Sequence, residues 1–277
     1  MRGVDEPEKS FEECRQTVRQ YDRDRYMLSL FCPAGDRPAL WSLFAFNSEI
    51  AKTREVVSET QLGLIRLQWW REAIGEIYDG KPVRKHPVLI ALKSGIETYA
   101  LPREAFETLI YAREFDLEDV PPASFEGLMT YADFTNTPLL QMTVKILSGG
   151  DMPGIEESAQ VKNIACAYGL VGLIRSIPVH LRQRRCYLPA DLMEKYETDH
   201  WRLYNGKDHD VIPVIVSEVI QNAEMKDVFQ KPENRTLLRW WKFVMMCKKD
   251  IEKTGGDPFE IRERAFPMLR LLILKPV

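Results

Sequence analysis

Signals that start and stop helices recur along this chain at helical spacing, and almost no stretch alternates apolar and polar residues in the two-residue rhythm of a half-buried strand. An all-α fold is therefore expected. The punctuation predicts helices over about Ser10 to Tyr21, Asp22 to Cys32, Asp36 to Ser58, Gln61 to Tyr78, His86-Pro87 onward, and Pro102 to about Asp116. Further helices are expected over Ser124 to Leu147, Ile155 to Ile177 and Glu233 to Lys253, with a polar loop over Asp199 to Asp210. Asp36 is a candidate N-cap with Pro38 in the first turn. Gly80 can take the left-handed conformation that ends a helix, and Pro178 should bend the chain by removing a backbone donor.

At 277 residues, with 45% hydrophobic and 29% charged side chains, the chain has enough apolar material for a large core, and one domain over 1–277 is expected. A net charge of −3 argues against a nucleic-acid protein, which needs a basic face. The five cysteines, Cys14, Cys32, Cys166, Cys186 and Cys247, are scattered and never spaced as CxxC, so neither a disulfide framework nor a zinc site is indicated. The opening MRGVDEPEKSFEEC has no apolar secretion core and is too acidic for a mitochondrial presequence. The expected location is cytoplasmic or peripheral at an inner membrane, on the matrix side if the chain is mitochondrial and processed. No apolar run approaches the roughly 20 residues that span a bilayer. RWWKFVMMCKK and the terminal FPMLRLLILKPV are apolar with basic edges; they read first as core helices and second as membrane-surface segments.

Within Asp36 to Ser58, an apolar stripe of Leu40, Leu43, Phe44, Ile50 and Ala51 is interrupted by Asn47 and ends in Lys52, Arg54 and Glu55. Three stretches, DRYMLSLFCPAGDRPALWSLFAFNSEI, LQWWREAIGEIYDG with HPVLIAL, and GLVGLIRSIPVHLRQRRCYLP, together resemble the squalene/phytoene synthase family. The resemblance runs from about Tyr21 to Leu192 and is most specific at Arg185-Cys186-Tyr187-Leu188-Pro189. It implies the isoprenoid-synthase-type helical bundle around a central cavity. Working members of that family join two prenyl diphosphates with two DxxxD motifs. Carboxylates at i and i+4 share a helical face and hold Mg²⁺, which is also held by substrate phosphates and neutralises the leaving diphosphate.

Those motifs are not intact here. Alignment places Ala51 and Glu55 at the first pair and Ser176 and His180 at the second, so three of four acidic positions are lost. Thr135-Asn136-Thr137 stands where the synthases carry small residues, which should narrow or reshape the cavity. The resemblance thus points to the non-synthase branch, which assists assembly of respiratory complex I through protein or lipid binding, with no catalytic residue and no cofactor. Complex I subunits or assembly intermediates, a lipid or prenyl diphosphate, and peripheral membrane contact are the partners it implies. The alternatives are a Mg²⁺-dependent head-to-head prenyltransferase and a metal-free prenyl-phosphate or lipid binder.

Arg54 and Arg175 lie beside the two altered motifs and, with Tyr187, are candidates to meet an anion directly, because the guanidinium fork matches phosphate and carboxylate. The competing reading pairs the arginines with Glu49 or Glu55. Glu55/Glu59 and Glu72/Glu76 are spaced to share a metal but more simply form solvated faces, and Asp116 and Asp119 read as a helix end. The QWW and RWW pairs read as core or interface aromatics. Neither a G-x-S-x-G elbow, an HExxH pair, a Walker loop nor a dinucleotide fingerprint occurs.

Overall fold

The most apolar of the expected helices, α3 (Arg37–Ala51), is buried on nearly every side rather than along one stripe: Leu40, Leu43, Phe44, Ala45, Phe46 and Ile50 are all fully enclosed. A helix enclosed all round must satisfy its polar side chains internally. Ser42 and Ser48 do so by donating to the carbonyls of Ala39 and Phe44, at 2.8 and 3.0 Å. Asn47 accepts from the guanidinium of Arg113 at 3.3 Å, and Arg113 also donates to Asp116 at 3.3 Å.

The computed structural model of the chain describes residues 6–151 and 154–262, and no strand occurs among them. Before α3 come α1 (Glu6–Tyr21) and α2 (Arg23–Ser29); after it come α4 (Thr53–Val56), α5 (Thr60–Tyr78), α6 (Pro87–Tyr99) and α7 (Arg103–Ala112). Then follow α8 (Phe125–Leu147), α9 (Ile155–Arg175), α10 (Ile177–Arg182), α11 (Ala190–Lys195), α12 (His200–Tyr204), α13 (Ile212–Met225) and α14 (Arg235–Lys253). Two compact units result. The first is Met1–Glu118 with Pro138–Ile155, and the second is Asp119–Thr137 with Glu156–Val277. Helix α8 contributes to both, and the division falls at Pro138, which has no N–H to give the preceding turn.

In the first unit α1, α3 and α6 pack on one another and α5 packs on α7. The Trp70 ring meets Phe46 edge-on at 5.6 Å, and Phe46 meets Phe106 at 5.3 Å. Trp69 is half-buried under the Arg84 guanidinium, 5.1 Å from its ring centre. In the second unit Trp240 packs edge-on against Tyr168 at 5.3 Å, and Trp241 donates to the Phe229 carbonyl at 2.9 Å. Both tryptophan pairs therefore serve packing, as the core reading expected. The apolar face of α14 is buried along Leu237, Trp240, Phe243, Val244 and Ile251. FPMLRLLILKPV lies outside the described residues.

Several local expectations change. Asp36 precedes α3 but makes no side-chain cap; its carboxylate instead accepts from the Tyr99 hydroxyl at 2.9 Å. The region expected as a loop over Asp199 to Asp210 contains α12, started by Asp199, whose side chain accepts from Arg202 N at 2.9 Å. Gly80 closes α5 with φ 68°, as its sequence position requires. Replacing Phe46 by Ala should lower the unfolding free energy by about 3–5 kcal/mol in urea melts, because its cavity is walled by two rigid rings. A loss under about 1 kcal/mol would show that this core closes without it.

Candidate functional site

Helix α3 stops at Ala51. Lys52 departs from helical geometry with φ −76° and ψ 1°, and the next turn begins with Glu55 N donating to the Lys52 carbonyl at 2.9 Å. The expectation of one helix through Asp36 to Ser58 is thereby corrected: Ala51 and Glu55 fall on different helices and do not share a helical face. Side-chain pairing accompanies the break. Lys52 turns back to Glu49 at 2.6 Å, Arg66 from α5 reaches the same carboxylate at 3.1 Å, and β-branched Thr53 is buried just past the break. Glu49 is thus the acid held at this helix end. Glu55 is exposed, and Arg54 donates to the Val57 carbonyl at 3.4 Å.

The other acidic pairs are used structurally. Glu72 and Glu76 converge on Arg84 at 3.3 and 2.8 Å; the hydrogen bond from Gln68 at 3.1 Å and then the guanidinium hold the Glu72 carboxyl below the usual range, and the guanidinium does so for Glu76. Glu55 and Glu59 do not share a helix, since Glu59 is the extended residue before α5. Asp116 is paired with Arg113, and Asp119 takes a left-handed φ of 54°. Among the described residues no group of three His, Cys, Asp or Glu side chains is placed to hold a metal ion.

In the second unit α9 ends at Arg175, and Ser176, with φ −92° and ψ −2°, separates it from α10, whose first turn carries Pro178. The bend expected at Pro178 falls two residues earlier. The Ser176 carbonyl accepts from His180 N at 2.9 Å, so these two motif positions stay one turn apart. The His180 ring stands edge-on to Tyr187 at 4.9 Å, and Tyr187 stacks on Tyr131 at 5.1 Å. A column of three aromatic rings therefore occupies this part of the second motif. Tyr187 also borders a cavity of about 10 Å³, walled by apolar side chains including Leu170, Ile174 and Val219. That is room for about one water molecule, not for a prenyl chain. The Arg175 guanidinium lies 5.9 Å from the centre of the Phe243 ring.

The residues after Tyr131 explain how tightly α8 and α9 meet within this unit. Thr135 donates to the Tyr131 carbonyl at 2.6 Å and Thr137 to Asp133 at 2.5 Å, while Asp133 is paired with Lys162 at 2.7 Å. The Asn136 amide donates to the Ala132 carbonyl at 3.0 Å and lies over Gly169, where an added Cβ would come within 2.5 Å of Asn136 Nδ2. Asn136 thus fills the space that Gly169 leaves. Neither the pairing of Asn136 with Gly169 nor the Tyr131–Tyr187–His180 column was legible in the sequence.

The four aligned positions present a methyl group, one exposed carboxylate, a hydroxyl and an imidazole. Mg²⁺ requires hard oxygen ligands, chiefly carboxylates and waters, so this donor set does not fit the metal site of a prenyl synthase.

The sequence profile described as Squalene/phytoene synthase matches residues 18–226. The chain belongs to that family. It is 32% identical over 179 residues to complex I assembly factor 6 of Bos taurus, covering 65% of this chain and 53% of that protein. The chain thus spans about half the length of this curated relative. It is 23% identical to the 15-cis-phytoene synthase of Synechococcus elongatus over 97% of this chain and 92% of that one. The squalene synthase structure from Alicyclobacillus acidocaldarius superposes with a TM-score of 0.74 at 20% identity, over 92% of this chain and 97% of that one. The fold is accordingly the isoprenoid-synthase-type helical fold.

Two measurements check this geometry. Gly169→Ala should cost about 1–3 kcal/mol of stability by overpacking, and adding Asn136→Ala should recover at least half of it. Equal losses in the single and double variants would remove Asn136 from the contact. Burial pushes the thiols of Cys14, Cys166 and Cys186 from an ordinary value of 9.0 up to about 12. The folded chain keeps protons that the unfolded chain loses, so the three contribute stability that is fully present below about pH 9 and lost as pH rises toward about 12. Replacing all three with Ala should flatten the alkaline arm of the stability–pH curve.

Proposed function

We propose that this chain is a non-synthase member of its family that assists assembly of respiratory complex I by binding a partner protein or a lipid, without prenyl-transfer chemistry. The observation that carries this reading is the loss of the metal-binding pattern. One carboxylate survives at four positions; it is exposed and sits beyond the break after Ala51. The curated name of the bovine relative supports the same direction. What the scaffold retains is His180 at one of the altered motif positions and, beside those motifs, the cationic and aromatic side chains Arg54, Arg175 and Tyr187. The location we propose is cytoplasmic or peripheral at the inner-membrane surface, on the matrix side in a mitochondrion.

A second reading, a Mg²⁺-dependent head-to-head prenyltransferase, is favoured by the near full-length likeness to a phytoene synthase, and the same experiment separates the two. Deleting the gene in its own organism should lower assembled complex I and leave squalene and carotenoid content unchanged. Purified protein given farnesyl or geranylgeranyl diphosphate with Mg²⁺ should yield no condensed product. Turnover that disappears in Glu55→Gln, with complex I intact in the deletion strain, would establish the synthase instead.

A further inference from the structure

Helix α5 buries a regular stripe of Gly63, Leu67, Trp70 and Ile74. Its first two turns carry more apolar side chain than that stripe uses. Leu62 is 48% exposed and Ile65 58%, three residues apart and so neighbours on one flank. Leu64 is exposed on the opposite flank, and Val56 of α4, which packs on α5, is exposed as well. One exposed aliphatic side chain is ordinary. Four of them within residues 56–65 make an apolar face that the described residues leave open, which is the mark of an interaction site.

The charge around this face has one sign. Between Lys52 and Tyr78 the exposed charged side chains are Glu55, Glu59 and Glu72, all acids. Every cation of that stretch is part-buried and engaged: Lys52 and Arg66 on Glu49, Arg54 on the Val57 carbonyl, and Arg71 on Glu114 at 2.8 Å. Packing brings in a further acid. Gly63 has no side chain, and a Cβ there would come within 2.5 Å of Leu117, so Leu117 seats directly on the first turn of α5. The Thr60 hydroxyl donates to the Leu117 carbonyl at 3.2 Å, which holds the exposed Glu118 beside the same turn. The helix dipole accounts for Glu59, which precedes α5. It does not account for Glu118, which follows the short 3₁₀ turn Phe115–Leu117.

We propose that the exposed side of the first two turns of α5, with Val56, docks a cationic amphipathic helix of a partner protein. The aliphatic side chains receive the apolar face of such a helix, and Glu55, Glu59 and Glu118 meet the lysines or arginines at its edges. The same carboxylates repel an anionic lipid surface or a nucleic acid, so charge decides the class of occupant. This inference rests on the partner-protein reading given above and supplies the chemistry of that partner.

The test is the fluorescence anisotropy of a labelled Leu/Lys amphipathic peptide of about 18 residues, long enough for five helical turns, titrated with the purified full chain. The same peptide with Glu in place of Lys is the counter-probe. The wild-type chain should bind the Leu/Lys peptide, release it in high salt and ignore the Leu/Glu peptide. Leu62→Gln/Ile65→Gln should weaken binding about tenfold, and Glu59→Lys/Glu118→Lys should weaken it at least as much and create affinity for the Leu/Glu peptide. These side chains are exposed, so the unfolding midpoint should move by less than about 2 °C, which separates lost docking from misfolding. Glu8→Lys/Glu104→Lys, an equal change of charge at exposed positions of α1 and α7, should leave affinity unchanged. Equal loss in that control, wild-type affinity in Leu62→Gln/Ile65→Gln, or peptide binding that emerges only when residues 263–277 are removed would each overturn the proposal, the last by giving the face to the chain's own C-terminal segment. In the deletion strain Leu62→Gln/Ile65→Gln should fail to restore complex I. Full restoration would overturn the proposal, whereas complex I unchanged by the deletion itself would overturn the assembly reading and leave the docking result standing.

Discussion

A helix enclosed by core on nearly every side can bury a polar group only where another group answers it, and α3 is such a helix. Its serines turn to their own backbone, and Asn47 depends on Arg113, which is also paired with Asp116. Removing the guanidinium would leave a buried amide acceptor unsatisfied, at a typical cost of about 1–3 kcal/mol. The rings of Trp70 and Phe106 close on Phe46 of the same helix. What α3 does at its C-terminal end, where the first metal motif of a synthase belongs, is set by this packing and by the cations around Glu49.

That end shows how a family scaffold and its chemistry come apart. The carboxylate of Glu49 is shared by Lys52 and Arg66 and so serves as a cross-link between α3 and α5, while Glu55 stands exposed beyond a helix break. In the second unit the change is of the same sort. Ser176 separates two helices, and His180 stands edge-on to Tyr187 instead of offering a carboxylate. Three of the four positions aligned with the synthase motifs carry no carboxylate, while the helices that hold them are kept by core contacts.

The all-α class and most helix positions were legible in the sequence because Pro, Gly and apolar spacing act locally. Pro87 and Pro178 sit in the first turns of α6 and α10, Gly80 takes its left-handed turn, and Trp70 and Trp240 are core residues. Non-local choices were not legible. The break at Lys52 is accompanied by Glu49 meeting Arg66 from another helix, and Asp36 bonds to Tyr99, sixty-three residues away, in place of capping. The candidate residues were found by likeness to a family pattern, whereas the environment of each came only from packing. Asn136 over Gly169 and Tyr131 on Tyr187 are pairings that no local rule specifies.

The central claim is that this chain keeps the synthase fold without the synthase metal site. Calorimetric titration of Mg²⁺ into the purified chain with a non-reactive farnesyl thiodiphosphate tests it most directly. The account predicts that any binding of the analogue is unchanged by Mg²⁺ and by Glu55→Gln. Stoichiometric Mg²⁺ uptake that tightens analogue binding at least tenfold and vanishes in Glu55→Gln would contradict it.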